Sequence, residues 1–236
     1  MPRPTSDKAS SKRPPITTEL LVDAAIELIE ADGLDSLSMR RLADCFGIQA
    51  ASVYWYVASK EHMLDLVVDR LLEMAHQSVF VDNIQRRPAD DESWQQLLRR
   101  IAIAYRAFLL AHPDAARVIS GRLVVGPNMA VLLEPLLTIF CEAGMNTRDS
   151  AHAAYVLLGY VQGFVLHESA PLSTAEVGPN DDRTTSLSQM QQALLALPAE
   201  RYPNTREAAV ALTRPDLSAR FAFGVDRFII GLSEFV

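Results

Sequence analysis

The side chains best suited to binding another molecule are concentrated between residues 36 and 60. This segment holds three basic residues, Arg40, Arg41 and Lys60, and one acid, Asp44, in a chain whose formal net charge is −7. Basic side chains contact the phosphates of DNA, while serine hydroxyls and alanine methyl groups contact base edges and thymine methyls. The segment therefore has the composition of an interface for double-stranded DNA.

Residues 39–53 have the spacing of a helix-turn-helix. Counted from Met39, the fifth residue is Ala43, the ninth is Gly47 and the fifteenth is Val53. The fifth position must be small because two helices approach closely there, and the ninth must tolerate the positive φ of a sharp turn, which glycine does without steric cost. The fifteenth must be apolar to hold the second helix against the first. All three requirements are met; the alternative is an ordinary helical hairpin with an aromatic core cluster.

The third helix, predicted at about 49–56, carries the residues that would read the DNA. Small residues at its front let a recognition helix enter the major groove deeply. Tyr54, Trp55 and Tyr56 come next, and because one helix cannot bury three consecutive aromatic side chains, at least one must be exposed. The predicted DNA-contacting residues are Ser38, Arg40, Arg41, Gln49, Ala50, Ala51, Ser52, Tyr54, Trp55, Tyr56 and Lys60.

Helical periodicity extends along the rest of the chain. Thr17 is expected to cap the first helix and Gly33 to end it, and Asn146 with Asp149 resembles a capping box. No strand pattern or internal repeat is recognisable, so the fold class is all-α. The predicted helices cover about 18–33, 38–46, 49–56, 60–80, 92–111, 115–120, 128–143, 147–168, 187–197 and 216–235.

These elements divide into a small head at 16–60 and a larger body at 61–236. A polar segment at 82–91 interrupts the helical pattern and separates the head and its connecting helix from the remaining helices of the body. Residues 1–15, with four prolines and four basic residues against one acid, predict a flexible basic arm, either a solubilising tail or a segment that touches DNA. Residues 170–184 are rich in Pro, Ser, Thr, Gly and Asp and predict a mobile loop.

The composition excludes several classes of protein. With 49% hydrophobic and 22% charged residues, the chain can form a packed core, and its net negative charge argues against a surface that coats nucleic acid throughout. The N-terminus lacks the apolar core of a signal peptide, and the apolar stretch 153–166 is about a third too short to span a bilayer. We therefore expect a cytoplasmic protein with no membrane contact. Cys45 and Cys141 lie in apolar surroundings and are expected to be buried free thiols.

An enzyme acting on an apolar substrate is a second hypothesis. The sequence has no GxSxG or HExxH motif and no glycine-rich phosphate loop, and its five histidines have no motif-like spacing. A third hypothesis is a DNA-organising protein with the same head and no effector. Neither a cofactor nor a metal ion is expected.

The head resembles that of the TetR family of bacterial transcriptional regulators. The AxxxG turn followed by SVYWYVASKEHML is similar to the family's recognition helix and the start of its connecting helix. DESWQQLLRR, LLAHPDAARV and FAFGVDRFIIGL resemble the body of the tetracycline-repressor branch. The resemblance implies a homodimer in which a helical body binds a small-molecule effector, with the helices at 147–168 and 216–235 forming a four-helix bundle with the partner's copies.

The resemblance also implies where the effector would bind. A pocket histidine of the connecting helix matches His76, the amide that holds the drug falls on Ile101, and an aromatic wall position falls on Tyr105. The metal-binding histidine falls on Ile119, and an acid contributed by the partner subunit falls on His167. Because Mg²⁺ requires oxygen-rich coordination and Ile119 offers no ligand, we expect no magnesium–tetracycline binding. The predicted effector-binding residues are His76, Ile101, Tyr105, Ile119, Leu123, Met129, Leu133, Gln162 and His167.

The predicted function is a ligand-responsive transcriptional regulator, a repressor that an apolar or aromatic small molecule releases from a palindromic operator. Activation instead of repression is a variant that depends on the position of the operator. His62 and His112 are expected at the surface or at helix ends, and His152 in a subunit interface. For His76 and His167, ligand contact and ordinary packing remain equal alternatives.

Overall fold

The computed structural model describes residues 15–81, 92–122, 124–170 and 183–235. Within these ranges the regular secondary structure is helical and contains no strand, so the all-α prediction is confirmed. A π-helix (His76–Val81) continues α4, and 3₁₀ turns occupy Leu34–Ser36 and Ser233–Phe235. The α-helices are α1 (Thr18–Asp32), α2 (Met39–Phe46), α3 (Ala50–Val53), α4 (Lys60–Ala75), α5 (Trp94–Ala111), α6 (Ala115–Ser120), α7 (Pro127–Glu142), α8 (Thr147–Ser169), α9 (Arg183–Ala196), α10 (Pro203–Glu207), α11 (Ala209–Leu212) and α12 (Leu217–Leu232).

The chain separates into two compact units, Met1–Val67 and Val68–Val236, and the division lies within α4. The predicted arm at 1–15 lies outside the described residues except for its last position, and so does most of the predicted loop at 170–184. Residues 183 and 184 of that loop belong to α9.

In the first unit, local capping rules set the helix ends. The Thr17 hydroxyl accepts a hydrogen bond from the Leu20 amide (3.3 Å), and Gly33 ends α1 with a φ of 83°. The Ser38 hydroxyl caps α2 by accepting from the Arg41 amide at 3.2 Å. Both predicted ends of α1 are therefore confirmed.

The second unit is organised around α8, which packs against α5, α6, α7 and α12. Asn146 caps this helix by accepting a hydrogen bond from the Asp149 amide (3.0 Å), as the sequence predicts. Large side chains from α5, α7 and α12, including Leu98, Phe140 and Phe221, are fully buried around it. α8 is therefore the helix around which α5, α6, α7 and α12 pack.

Three helix predictions need correction, and the structure adds two short helices. The third helix is shorter than predicted, since α3 ends at Val53 and a hydrogen-bonded turn comes next. The connecting helix is α-helical only to Ala75, and its last predicted turn is a π-helix. α9 begins four residues earlier than predicted, and the short helices α10 and α11 were not predicted, because segments of four or five residues show no helical period.

The prediction that both cysteines are buried is wrong, since Cys45 and Cys141 are exposed. Leu42 and Ala43 are buried in α2, whereas Cys45 follows Ala43 by two residues, a rotation of about 200° that turns the thiol away from Ala43. Phe140 is buried in α7, and the next residue along a helix is rotated by about 100°, which turns Cys141 outward. Apolar residues next to a cysteine in sequence therefore do not imply that the thiol is buried with them.

None of the helices in the described part of the chain is both long enough and apolar enough to cross a membrane. The longest, α8, contains 23 residues and packs within the second unit.

Candidate DNA-binding and effector-binding sites

The predicted helix-turn-helix is present in the first unit. Ala43 is 1% exposed where α2 and α3 meet, and Val53 is fully buried. Gly47 ends α2 in the left-handed region at φ 64° and ψ 35°. The Ile48 amide then donates to the Ala43 carbonyl (3.1 Å), which closes the turn. The three residues identified by spacing therefore have the three roles that the motif requires.

The aromatic residues after α3 all face solvent. Tyr54, Trp55 and Tyr56 are 51%, 89% and 38% exposed. Val53 and Val57 are buried on either side of them, and the Val57 amide donates to the Val53 carbonyl at 3.2 Å. The two valines thus anchor a turn that presents three large amphipathic side chains at the surface.

The two arginines of α2 differ in their surroundings. Arg40 is exposed, whereas the Arg41 guanidinium pairs with the Asp32 carboxylate and lies 3.4 Å from the Ser36 carbonyl oxygen. Arg41 thus joins the start of α2 to the end of α1. Of the two, Arg40 has the more accessible charge.

Lys60 is held at the first turn of α4 by a reciprocal cap. The Ser59 hydroxyl accepts from the His62 amide (3.0 Å), and the imidazole Nδ1 of His62 accepts from the Ala58 amide (3.2 Å). His62 is therefore at a helix end, as predicted. His112 is also at a helix end, directly after α5, with its ring 4.5 Å from that of Phe108.

A chain of polar side chains runs from the surface to the buried Tyr105 in the second unit, where the sequence predicts effector contacts. Gln162 donates through Nε2 to the Tyr105 hydroxyl (3.0 Å), and its Oε1 accepts from the Ser120 hydroxyl (3.1 Å). Tyr105 is 2% exposed. The chain connects α5, α6 and α8. Tyr105 and Gln162 were predicted together, whereas Ser120 was missed because nothing in its local sequence distinguishes it from other surface serines.

Burial raises the pKa of Tyr105 to about 12, an effect that the hydrogen bond from Gln162 only partly offsets. The phenol is therefore a neutral hydrogen-bonding group at physiological pH. In the unfolded chain a tyrosine ionises near pH 10.

This difference predicts a loss of stability in alkali. Between pH 10 and about 12 the unfolded chain loses a proton that the folded chain keeps, so the free energy of unfolding should fall by about 2 to 3 kcal/mol. Chemical denaturation across this interval measures the fall, which should be smaller in Tyr105→Phe and unchanged in Tyr54→Phe, since Tyr54 is exposed on the first unit. An equal fall in the Tyr105 variant would contradict the assignment.

The other predicted effector residues are distributed around this unit. Ile101 and Ile119 are buried, Met129 and Leu133 are half-buried, and His167 is exposed. The Leu123 prediction lies outside the described residues. His76 begins the π-helix and stacks on Phe80, and its Nδ1 atom is buried with no hydrogen-bond partner among the described residues.

An ion pair that the sequence did not predict joins three helices of the same unit. Arg106 on α5 donates through Nε and Nη2 to the two carboxylate oxygens of Glu168 on α8, at 2.9 and 2.5 Å. Its Nη1 lies 3.3 Å from the Ser218 hydroxyl of α12. The guanidinium also lies over the rings of Phe164 and Phe221, 5.8 and 5.1 Å from their centroids. Both ionic side chains are largely buried.

No cluster of three or more His, Cys, Asp or Glu side chains that could hold a metal ion occurs in the part of the chain that the structure describes.

Comparison with known families gives a match for each unit. The family described as bacterial regulatory proteins, tetR family, matches residues 21–67, and the tetracyclin repressor-like C-terminal domain matches residues 87–236. The first match contains the whole helix-turn-helix, and the second contains the polar chain of Ser120, Gln162 and Tyr105.

Individual relatives agree with these matches. The chain is 30% identical to the class C tetracycline repressor protein of Escherichia coli over 191 residues, which cover 81% of this chain and 84% of the relative. It is 32% identical to an HTH-type transcriptional regulator of Saccharopolyspora erythraea over 232 residues, covering 96% of this chain and 89% of that protein.

The fold is also that of a solved regulator. The structure of the Streptomyces coelicolor TetR family protein ActR in complex with actinorhodin superposes with a TM-score of 0.79 and 29% identity, covering 94% of this chain and 97% of ActR. These relatives are regulators, not enzymes. The chain belongs to the TetR family and is a ligand-responsive, DNA-binding transcriptional regulator.

Proposed function

We propose that this regulator is a repressor that binds a near-palindromic operator as a homodimer through the α2–α4 region of each head. The observation that carries this proposal is the exposed aromatic turn, anchored by Val53 and Val57, next to Lys60 at the start of α4. Exposed tyrosine hydroxyls and basic groups suit phosphates, and the small side chains at the front of α3 suit base edges. The proposed contacts are Ser38, Arg40, Arg41, Gln49, Ala50, Ala51, Ser52, Tyr54, Trp55, Tyr56 and Lys60.

Selection of bound sequences from a random duplex pool, at two salt concentrations, tests the operator proposal. Two recognition helices of a dimer reach successive major grooves, so we expect a palindrome with half-sites about 34–36 Å apart or a multiple of that distance. Recovery of salt-sensitive, sequence-blind binding alone would contradict the proposal and favour the DNA-organising alternative.

Substitutions in the aromatic turn and at the start of α4 should weaken operator binding without unfolding the body. Lys60→Ala should lower affinity for all sequences and reduce the slope of log affinity against log salt by about 1, because one phosphate contact is lost. Tyr54→Ala should weaken binding about tenfold if its hydroxyl donates to a phosphate. Arg214→Ala, which removes an exposed charge from the segment between α11 and α12, is the matched control. Unchanged operator affinity in both test variants would remove these residues from the site.

For the dimer we propose an interface formed by α8 and α12. Tyr155 and Phe223 are 81% and 69% exposed, and Ile230 is 53% exposed, which is unusual for large apolar side chains unless another surface covers them. A Cβ atom added at Gly159 or Gly163 would meet nothing within 4 Å, so these positions leave room for a partner helix. His152 is exposed on α8, in agreement with its predicted place in an interface.

For the effector we propose a planar, largely apolar molecule that carries carbonyl or phenolic oxygen atoms. ActR has been solved with actinorhodin, and the class C relative is named for tetracycline. In this chain Ile101 and Ile119 supply apolar surface, whereas Tyr105, Gln162 and the buried Nδ1 of His76 supply polar groups. Electrophoretic mobility-shift assays with actinorhodin, which tests this chemical class, should show release of the selected operator. The remaining proposed contacts are Leu123, Met129, Leu133 and His167.

We do not expect magnesium–tetracycline to be the effector, because the position of the metal ligand is Ile119. We also propose that the protein acts in the cytoplasm, where its DNA target lies. Activation rather than repression would result if the selected operator lay upstream of a promoter without overlapping it.

A further inference from the structure

A carboxylate of α4 caps the first turn of α7. The backbone amide of Asn128 donates to Oδ1 of Asp69 (3.2 Å), and the side-chain Nδ2 of Asn128 donates to Oδ2 (2.8 Å). Both oxygens of one carboxylate are thus used by one residue. A negative charge at this end of a helix is also favourable because the first amides carry a partial positive charge.

The sequence around the start of α7 explains why a residue from another helix does the capping. The N-cap residue is Gly126, which has no side chain, and the first helical residue is Pro127, which has no amide hydrogen. Asn128 is therefore the first residue of α7 with an amide to satisfy. The carboxylate of Asp69 lies where a serine or aspartate N-cap would otherwise place its oxygen.

Position 126 has room for a glycine only, because the Asp69 carboxylate occupies the place of a Cβ atom. The backbone conformation itself does not demand glycine. Its φ of −120° and ψ of 172° are extended values that any residue adopts. A Cβ atom at this position would lie 2.2 Å from Oδ1 and 2.9 Å from Cγ of Asp69. An alanine at position 126 would therefore displace the Asp69 side chain from Asn128.

The contact lies within the second unit and joins α4 to the start of α7. α7 carries Met129 and Leu133, two of the proposed effector contacts, shortly after Asn128. α4 carries Asp69 and begins at Lys60, a proposed DNA contact. We infer that the Asp69–Asn128 contact is the link through which a displacement of the first turn of α7 reaches α4, so that Asp69 is a positioning residue for operator binding. This inference rests on the proposed function.

The inference predicts a defect in the spacing of the heads, not in the heads themselves. A dimer reads a palindrome only if both recognition helices are held at the separation of the half-sites. When the Asp69–Asn128 contact is broken, α4 is less restrained in the free protein. Part of the free energy of binding to the palindrome is then used to hold α4 in place, and the affinity falls. Binding of one head to a duplex with a single half-site makes no such demand.

The experiment measures the affinity of each variant for the selected palindrome and for a duplex with a single half-site. The variants are Asp69→Ala, Gly126→Ala and the double variant. Glu73→Ala is the control, because it removes another carboxylate of α4, one that pairs with Arg70 in the same helix. Asp69→Ala and Gly126→Ala should each bind the palindrome at least about fivefold more weakly than wild type, which is the lower end of common allosteric couplings. Each should bind the half-site duplex within about twofold of wild type. The double variant should be no weaker than the weaker single variant, because both substitutions break the same contact. Circular dichroism and thermal unfolding identify variants that are not folded. Asp69→Asn keeps one acceptor oxygen, so its affinity for the palindrome should lie between those of wild type and Asp69→Ala.

Three results would overturn the inference: palindrome affinity equal to wild type in the single variants, an equal loss on the half-site duplex, or effects that multiply in the double variant. Failure of the wild-type protein to bind any palindrome is a different outcome, because it would contradict the proposed function itself.

Discussion

Replacement of Glu168 by alanine should destabilise the second unit by about 3 kcal/mol, because the substitution leaves the Arg106 guanidinium buried without its counterion. The side chains of the pair are only 13% and 15% exposed, and the guanidinium lies between two phenylalanine rings and a serine hydroxyl. Water can therefore replace the lost carboxylate only in part. For a unit of this size, 3 kcal/mol corresponds to a fall in Tm of about 6–12 °C.

Urea denaturation followed by circular dichroism measures this loss, with Asp226→Ala as the control. Asp226 pairs with Arg99 between α5 and α12, but the side chains of that pair are 46% and 40% exposed, and exposed pairs contribute about 0–1 kcal/mol. Replacing both members of the buried pair, as in Arg106→Met with Glu168→Leu, should restore part of the stability because no charge is then left unpaired. Equal losses for Glu168→Ala and Asp226→Ala would contradict the role of burial in this prediction.

The helix-turn-helix could be predicted from sequence because its determinants are local. A small residue at Ala43, a residue that tolerates positive φ at Gly47 and an apolar residue at Val53 are all fixed within two helices and one turn. The same holds for the caps at Thr17 and Asn146, where a side chain satisfies an amide three residues away. Such rules depend on spacing along the chain, which the sequence shows directly.

The contacts of the second unit could not be predicted in the same way. Tyr105 and Gln162 are 57 residues apart, Arg106 and Glu168 are 62 apart, and Asp69 meets a residue 59 positions later. The packing of the helices decides which polar residues meet across such long separations in sequence. Helical periodicity gives only the face of its helix on which each residue lies. The resemblance to a family supplied the positions of Tyr105 and His76, but it gave no signal for Ser120 or Asp69, or for the pairing of Glu168 with Arg106.

The failure to predict exposed cysteines has the same physical origin. Cys45 and Cys141 each come shortly after buried residues in sequence, and a rotation of about 100° per residue places them on another face. The short α3 is a related case, because the chain leaves the α-helix after Val53 and the turn that follows leads to the buried Val57. The result is functionally important, since this turn exposes all three aromatic residues.

Replacement of Gly47 by valine should abolish most operator binding, with a loss of at least about tenfold. The left-handed backbone at this position, φ 64° and ψ 35°, costs a residue with a Cβ atom roughly 1–2 kcal/mol, and β-branched side chains are the least tolerant of it. If the turn relaxes to relieve the strain, α3 leaves its position against α2, and the contacts that depend on Val53 are lost. Electrophoretic mobility shifts on the selected palindrome measure the effect.

Asparagine separates backbone strain from the loss of a small residue, because it adopts left-handed conformations more readily than other non-glycine residues. Gly47→Asn should therefore keep operator affinity within about threefold of wild type, while Gly47→Val should not. An equally large loss of operator affinity in both variants would show that no side chain is tolerated at position 47, for example because the backbone approaches DNA closely there. Positive φ would then not be the reason that this position requires glycine. Equal retention in both would show that the turn is not what holds α3 in place, and the anchoring of the recognition helix would then rest on Val53 and Val57 alone.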